Sequence, residues 1–277
     1  MLNYFIHSYN QLFSFFDQAR LIIFESIYLR IVRLSIYKTK IKYNNSVDII
    51  LPTYNRAEML KTRSIPSVLN QTYKNFRLII IGDCCTDNTE KIVKSFNDDR
   101  IIYKNLKKRT KRYPPTVENH WFVGPVVAIN EGLKLIKSDW IARIDDDDIW
   151  TNDHLDKLIK KASKYNSEFV SSSYIAINNG QEVIKNFVNE KPPIGGVQTW
   201  LYRSYLKFYK SNINCWRKNW NKVNDLDLQN RFFKSGVKIR YLEDVTCLIK
   251  PRPNEKLVGI KAYIANETEY LKNYEFK

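Results

Sequence analysis

The stretch "SDWIARIDDDDIWTNDHL", residues 138–155, runs from an apolar segment into four consecutive carboxylates, Asp145 to Asp148, and on to a tryptophan. "WIARID" (140–145) reads as a short buried strand, and a helix is expected to begin near Thr151. Four adjacent like charges repel one another unless something positive sits among them. That partner could be counterions, a helix N-terminus, a basic patch of the same chain, or a metal ion carrying a substrate. For Asp148 the plainest reading is a helix N-terminus, where a carboxylate gains up to about 1 kcal/mol.

Working outward, the acidic run closes a series of alternating strands and helices. "VDIIL" (47–51), "FRLIII" (76–81) and "RIIYKN" (100–105) are apolar β runs. Between them, "AEMLKTRSIPSVLNQ" is helical with a kink or restart at Pro66. Asp87 with Glu90 reads as a capping box opening the helix "NTEKIVKSFN". A basic loop is expected through residue 123, and "PVVAINEGLKLIKS" (125–138) is the next helix. Such alternation predicts an α/β fold, a mostly parallel sheet covered by helices on both faces. The second half is less regular. "EFVSSSYIAINNGQEVIKNF" reads as two strands around a turn, "DLDLQNRFFKSG" as a helix ending at Gly236, "VKIRYL" and "VTCLI" as two short strands, and residues 255–276 as helical.

In an open parallel sheet, ligands bind beyond the carboxyl ends of the strands. Those ends carry "PTYNR", "GDCCTDN" and "DDDDIW", so three polar clusters converge on one edge. Neither G-x-G-x-x-G nor a P-loop follows the first strand, so any nucleotide must be held by side chains and a metal.

From about residue 46 to 155, and more weakly to about 245, these segments resemble glycosyltransferase family 2 with its GT-A fold, three motifs standing in family order. The resemblance implies a metal-dependent, inverting transfer of a sugar from a nucleotide-diphosphate sugar, a UDP-sugar above all, to an acceptor hydroxyl. It implies that Pro52, Thr53 and Tyr54 floor the nucleotide base, and that Asp83 accepts from the uracil imide. Arg56 and Asp146 are carried over as further substrate-binding residues. Asp145 and Asp147 match the D-x-D element: the first contacts ribose or sugar, and both are carried over as ligands of Mn²⁺ or Mg²⁺, hard cations suited to oxygen donors. On this reading the missing positive charge is a substrate-bound metal. "VNDLDLQNRFFKSG" resembles the family's acidic segment with Asn224 where Glu is common, which makes Asp225 the candidate base and Asp227 the alternative, with N-terminal capping as the bland reading of both. Ile129 stands where Arg is frequent, and Cys84-Cys85 where small polar residues are frequent. Arg109 or Arg112 either neutralises the diphosphate or simply belongs to a solvated surface loop, and His120 and His154 are read as structural or helix-terminal.

The formal net charge of +16 over 277 residues favours polyanionic partners. A basic nucleic-acid-binding protein is therefore one rival, although no binding motif is recognisable and nucleic acid is not expected. A sugar-1-phosphate nucleotidyltransferase is another, although "LPTYNRAEM" lacks that class's glycine-rich loop. The family-level expectation is cell-surface polysaccharide or lipid-linked glycan assembly, with a glycan or lipid-linked acceptor.

The N-terminal segment 1–45 lacks the features of a secretory signal, and charges interrupt each apolar run short of a membrane span. Its apolar residues Leu21, Phe24, Ile27, Tyr28, Ile31 and Leu34 recur at helical spacing, with Arg20, Arg30, Arg33, Lys38, Lys40 and Lys42 against only Asp17 and Glu25. The pattern suits either a helix lying on an anionic membrane surface or one packed on the main domain. The expected organisation is this extension, a GT-A domain over 46–250 with a nucleotide-sugar half (46–155) and an acceptor half (156–250), and a helical segment at 251–277. Cytoplasmic localisation follows from cysteines with no bridging or zinc-like spacing, with peripheral attachment to the membrane face if the helix binds lipid.

Overall fold

Each apolar run of the first half becomes a parallel strand. In the computed structural model, which describes residues 2–39, 44–108, 112–217 and 223–265, these are β1 (Val47–Thr53), β2 (Phe76–Gly82), β3 (Ile101–Asn105) and β4 (Trp140–Arg143). Lys40, Lys42, Arg109 and the end of the expected C-terminal helix lie outside the described residues.

Side chains alternate across the sheet, so it builds two cores. Ile49 and Leu51 of β1 join Leu78 and Ile80 of β2 on one face, and Ile50, Ile79 and Ile81 face the other. On the second face lies α6 (Val126–Lys134). Gly132 lets it settle there, because a Cβ would stand 2.8 Å from Ile50 Cγ2. Asp48 is buried in β1, but Arg77 grips it with two bonds of 2.8 and 2.7 Å, and Ser138 and the Lys137 amide complete its contacts. Burial pushes this carboxyl up, yet those bonds outweigh it and hold it below its ordinary value.

The sheet order is β3-β2-β1-β4-β8 (Leu201–Arg203)-β6 (Phe169–Asn178)-β9 (Ile239–Ile249)-β5 (Asp148–Trp150), nine strands among the described residues with β7 (Gln181–Lys185) paired to β6. β6 (Phe169–Asn178) and β7 (Gln181–Lys185) form the expected hairpin, and β8 (Leu201–Arg203) joins the halves by pairing antiparallel with both β4 and β6. The two strands expected near 237–249 are one, β9 (Ile239–Ile249), whose pairing with β6 shifts register around Ser173. The irregularity falls at the polar Glu243–Asp244, whose charges look like a break in the local pattern.

Helices depart from expectation where tertiary contacts compete. The segment around Pro66 is α2 (Ala57–Met59), a π turn at Leu60–Ser64, and α3 (Ile65–Leu69), as suits a proline that lacks a helical donor. α4 (Thr89–Ser95) has no capping box. Asp87 accepts from the Thr89 amide and hydroxyl and from the Ala57 amide, while Glu90 pairs with Lys94. Within the expected basic loop stands α5 (Val117–Val123), capped by Thr116, whose hydroxyl accepts from the Asn119 amide. The helix expected near Thr151 is α7 (His154–Lys164), and α9 (Ile260–Ala265) is the described part of the C-terminal helix.

The N-terminal segment forms α1 (Leu2–Thr39), a helix that packs on α8 (Asn224–Lys234). Glu25 pairs with Arg231 of α8, which also bonds Asp227 at 2.8 Å. Arg33 bonds Glu168 at 2.7 Å, and Asn212 donates to Asp17 at 2.8 Å. No described helix is long and apolar enough to cross a membrane.

Candidate active site

The loops after β1 and β2 are fastened together before any ligand enters. Asn55 and Cys84 take the left-handed conformation, with φ of 51° and 64°. In that pose the Asn55 side-chain oxygen accepts from the Thr86 amide at 2.8 Å, and Asp87 receives the Ala57 amide at 3.0 Å. A turn residue thus crosslinks two strand ends.

The acidic run leaves β4 on the same edge, and arginines surround it. Asp146 is buried, accepting from Thr53 Oγ1 at 2.8 Å and from Arg56 at 2.7 Å. Arg56 also reaches Asp147, at 3.3 Å. The π turn aims Arg63 at three backbone carbonyls, those of Asp147, Lys250 and Pro251, at 3.2, 3.1 and 2.6 Å. Beneath Asp145 lies Arg143, 1% exposed, whose nearest ionic approach is 3.9 Å to Asp225. Much of the positive partner sought at the outset is therefore arginine from the same chain.

Asp148 corrects the helix-terminus reading. It opens a short strand, β5 (Asp148–Trp150), that pairs antiparallel with Cys247–Ile249, and α7 starts only after it. A β strand was not legible there, because its partner lies about a hundred residues away. Burial raises the Asp148 carboxyl well above its ordinary value, reinforced by Asp147, Asp145 and Asp146. Burial also pushes Asp145 up to about 7, opposed by Arg143 and assisted by Asp225, and raises Asp146 against the pull of Arg56.

A cavity of about 760 Å³ collects these groups. Pro52, Thr53, Tyr54, Arg56, Asp83, Asp145, Asp146 and Asp147 line it from one half of the chain, and Asp225 from the other. The first turn of α8 holds Asp225 with its side chain 33% exposed, and burial raises its carboxyl against Arg143. Asp227, two residues on, is buried away from the cavity against Arg231 and Gln18.

Arg112 reaches the strand-two carboxylate. Both its terminal nitrogens bond Asp83, at 3.0 and 2.9 Å, so it orients that carboxylate. A carboxylate has further lone pairs, so an incoming N–H can still be accepted. His154 is structural as expected: it stacks on Trp150, bonds Thr246 at 2.7 Å, and is pushed down to about 3 by burial. His120 bonds Tyr113 at 3.0 Å at the cavity wall, and Ile129 is buried in α6. Sequence reasoning missed Asn55, Arg63, Arg143 and Arg252, the last 3.8 Å from Asp147. Only the Arg143 position, two residues before the acidic run, carried a local signal: a charge inside an apolar strand.

A curled α/β sheet with acidic groups at the strand ends is the GT-A architecture. The solved Staphylococcus aureus TarS 1–349 in complex with UDP-GlcNAc shares it at a TM-score of 0.59 and 16% identity, over 76% of this chain and 60% of that one. A mannosyltransferase of Pyrobaculum calidifontis, solved with GDP-Man and Mn²⁺, aligns over 90% of this chain and 67% of its own at a TM-score of 0.53 and 14% identity. The model of glycosyl transferase family 2 matches residues 48–113 and 116–224, and the chain belongs to that family. The Escherichia coli UDP-Glc:alpha-D-GlcNAc-diphosphoundecaprenol beta-1,3-glucosyltransferase WfgD is 36% identical over 145 residues, 52% of each chain. The Staphylococcus aureus poly(ribitol-phosphate) beta-N-acetylglucosaminyltransferase TarP is 30% identical over 175 residues, 60% of this chain and 49% of its own. The chain thus spans about half the length of these curated relatives. Family membership makes glycosyl transfer, rather than nucleotidyl transfer, the chemistry of this chain.

Proposed function

We propose that this protein transfers a sugar from a UDP-sugar to a hydroxyl of a lipid-linked or polymeric glycan, inverting the anomeric centre. The observation that carries this reading is the meeting, in one cavity, of Asp145 and Asp147 from the end of β4, Asp83 and Tyr54 from neighbouring strand ends, and Asp225 from α8. Asp225 takes the acceptor proton as the acceptor oxygen bonds the anomeric carbon. The bond from that carbon to the diphosphate breaks on the opposite face, and UDP departs. A carboxyl raised by partial burial suits a base that must hold a proton briefly. Tyr54 stacks on the base of the nucleotide and Asp83, oriented by Arg112, accepts from its imide. Arg56 fixes Asp146 and, with it, the direction of the acidic loop.

Among the described residues no cluster of three or more carboxylate, His or Cys ligands is preformed. Two hard carboxylates, Asp145 and Asp147, still fit Mn²⁺ or Mg²⁺, which commonly bind through one or two carboxylates plus substrate phosphates. When bound, the cation neutralises charge on the departing diphosphate. Relatives whose names specify diphosphoundecaprenol or poly(ribitol-phosphate) acceptors support an acceptor of that kind, and with it peripheral action at the cytoplasmic membrane face.

Thermal shift tests the donor assignment. UDP and UDP-sugars with Mn²⁺ should raise Tm by mass action, whereas either component alone should raise it far less. Asp147→Asn should abolish the combined effect while leaving the ligand-free Tm close to the parent's. Equal stabilisation by UDP in parent and variant would remove the metal assignment, and no response to any nucleotide would remove the donor assignment.

A further inference from the structure

The two readings of the N-terminal helix prove compatible, because α1 has two faces. Its inner face belongs to the fold: Ser14, Asp17, Glu25 and Leu29 are buried, and Asp17, Glu25 and Arg33 make polar bonds to the rest of the chain. The outer face is mostly apolar between Leu12 and Leu34, with Arg20 standing between Phe16 and Ile23. Leu12, Phe16, Ile23, Ile27, Ile31 and Leu34 follow one another at steps of three, four or seven residues, and each is more than half exposed. Residues at such steps form one stripe on a helix.

Charge on α1 is segregated in the same way. Both its acidic residues, Asp17 and Glu25, are buried on the inner face. Arg20 reaches back to the buried Asp17 at 3.1 Å but keeps 73% of its side chain exposed, and with the exposed Arg30 and Lys38 it makes the charge exposed on α1 positive. An exposed apolar stripe with cations at its edges and Arg20 within it, on a described helix not apolar enough to cross a membrane, is the composition of an interfacial helix. A protein partner would need no such exclusion of acidic groups; an anionic lipid surface rewards it.

We infer that the outer face of α1 lies in an anionic membrane interface and that its inner face transmits this orientation to the catalytic domain. The transmission is short. Arg231 bonds Asp227 on the helix whose first turn carries Asp225, and Gln18 of α1 donates to Asp227 at 3.3 Å. Docking α1 on lipid therefore sets the plane of the membrane relative to the cavity, which suits an acceptor presented by a lipid. The docking surface does not depend on the sugar chemistry, so vesicle binding and nucleotide binding can fail separately.

The test is co-sedimentation of the full chain with vesicles of equimolar phosphatidylglycerol and phosphatidylcholine, against phosphatidylcholine alone. Binding should be strong only to the anionic vesicles and should weaken as salt rises. The exposed triple variant Phe16→Ser, Ile27→Ser, Leu34→Ser should lose at least about tenfold in vesicle affinity, with Tm and the UDP response retained. Arg20→Gln with Arg30→Gln should lose about tenfold or more on anionic vesicles. Equal sedimentation of parent and triple variant, or none by the parent, would overturn the inference. So would a parent that dimerises by sedimentation velocity through this stripe and ignores vesicles.

Discussion

Two carboxylates one helical step apart, Asp225 and Asp227, have opposite environments and so should have opposite phenotypes. Asp225→Asn should lower the transfer rate by about 10²-fold or more while UDP affinity changes little, as for loss of a general base. Asp227→Asn should instead cost about 3 kcal/mol of stability, because it strips a buried arginine of a charged partner, with the rate of the folded fraction largely retained. Paired kinetics and thermal melts check both. Burial raises Asp225, so its base form is lost on acidification at a higher pH than an exposed aspartate would allow. The acidic limb of the kcat/KM profile should accordingly lie above about 3.9, the ordinary aspartate value. A limb at or below that value would contradict the burial seen here. The alternatives left open by the sequence could not be resolved there, since both residues occupy the first turn of one amphipathic helix.

At the scale of elements, strands β1 to β4 and the helices α4 and α6 follow from hydrophobic runs that local pattern exposes. Asp48 is an exception to the apolar rule in β1; its bonds to Arg77 tie β1 to β2, and those from Lys137 and Ser138 tie it to the turn before β4. Its folded pKa lies below the ordinary value, so it contributes stability above about pH 4 that disappears as pH falls through the lowered value. Asp48→Asn should therefore cost about 2 kcal/mol near neutrality and progressively less in acid, read from urea melts across pH. What local pattern hid were elements defined by partners distant in sequence. β5 needs β9, and the π turn before Pro66 earns its orientation from the carbonyls that Arg63 reaches. Thr116 is an N-cap signal for α5, but it stands beside a run of basic residues whose pattern is that of a loop.

For the molecule as a whole, Arg231 is the point where the N-terminal helix, the helix bearing Asp225 and the loop at Lys210 meet. Arg231→Met should leave two buried carboxylates without their cation and lower Tm by roughly 10 °C, a loss of about 3 kcal/mol or more. Metal-dependent UDP binding by the remaining folded protein should persist, because the nucleotide-facing residues come from β1, β2 and β4. The sequence by itself determined the parallel α/β half, the convergence of "PTYNR", "GDCCTDN" and "DDDDIW" on one edge, and the family. These depend on periodicity and on motif order, which are local properties of a chain. Only the tertiary structure decided which acidic residue of α8 faces the cavity, that arginines from four separate segments surround Asp145–Asp148, and that one helix can be both core and surface. Those outcomes depend on which groups share a buried volume, and burial is set by packing between segments far apart in the chain.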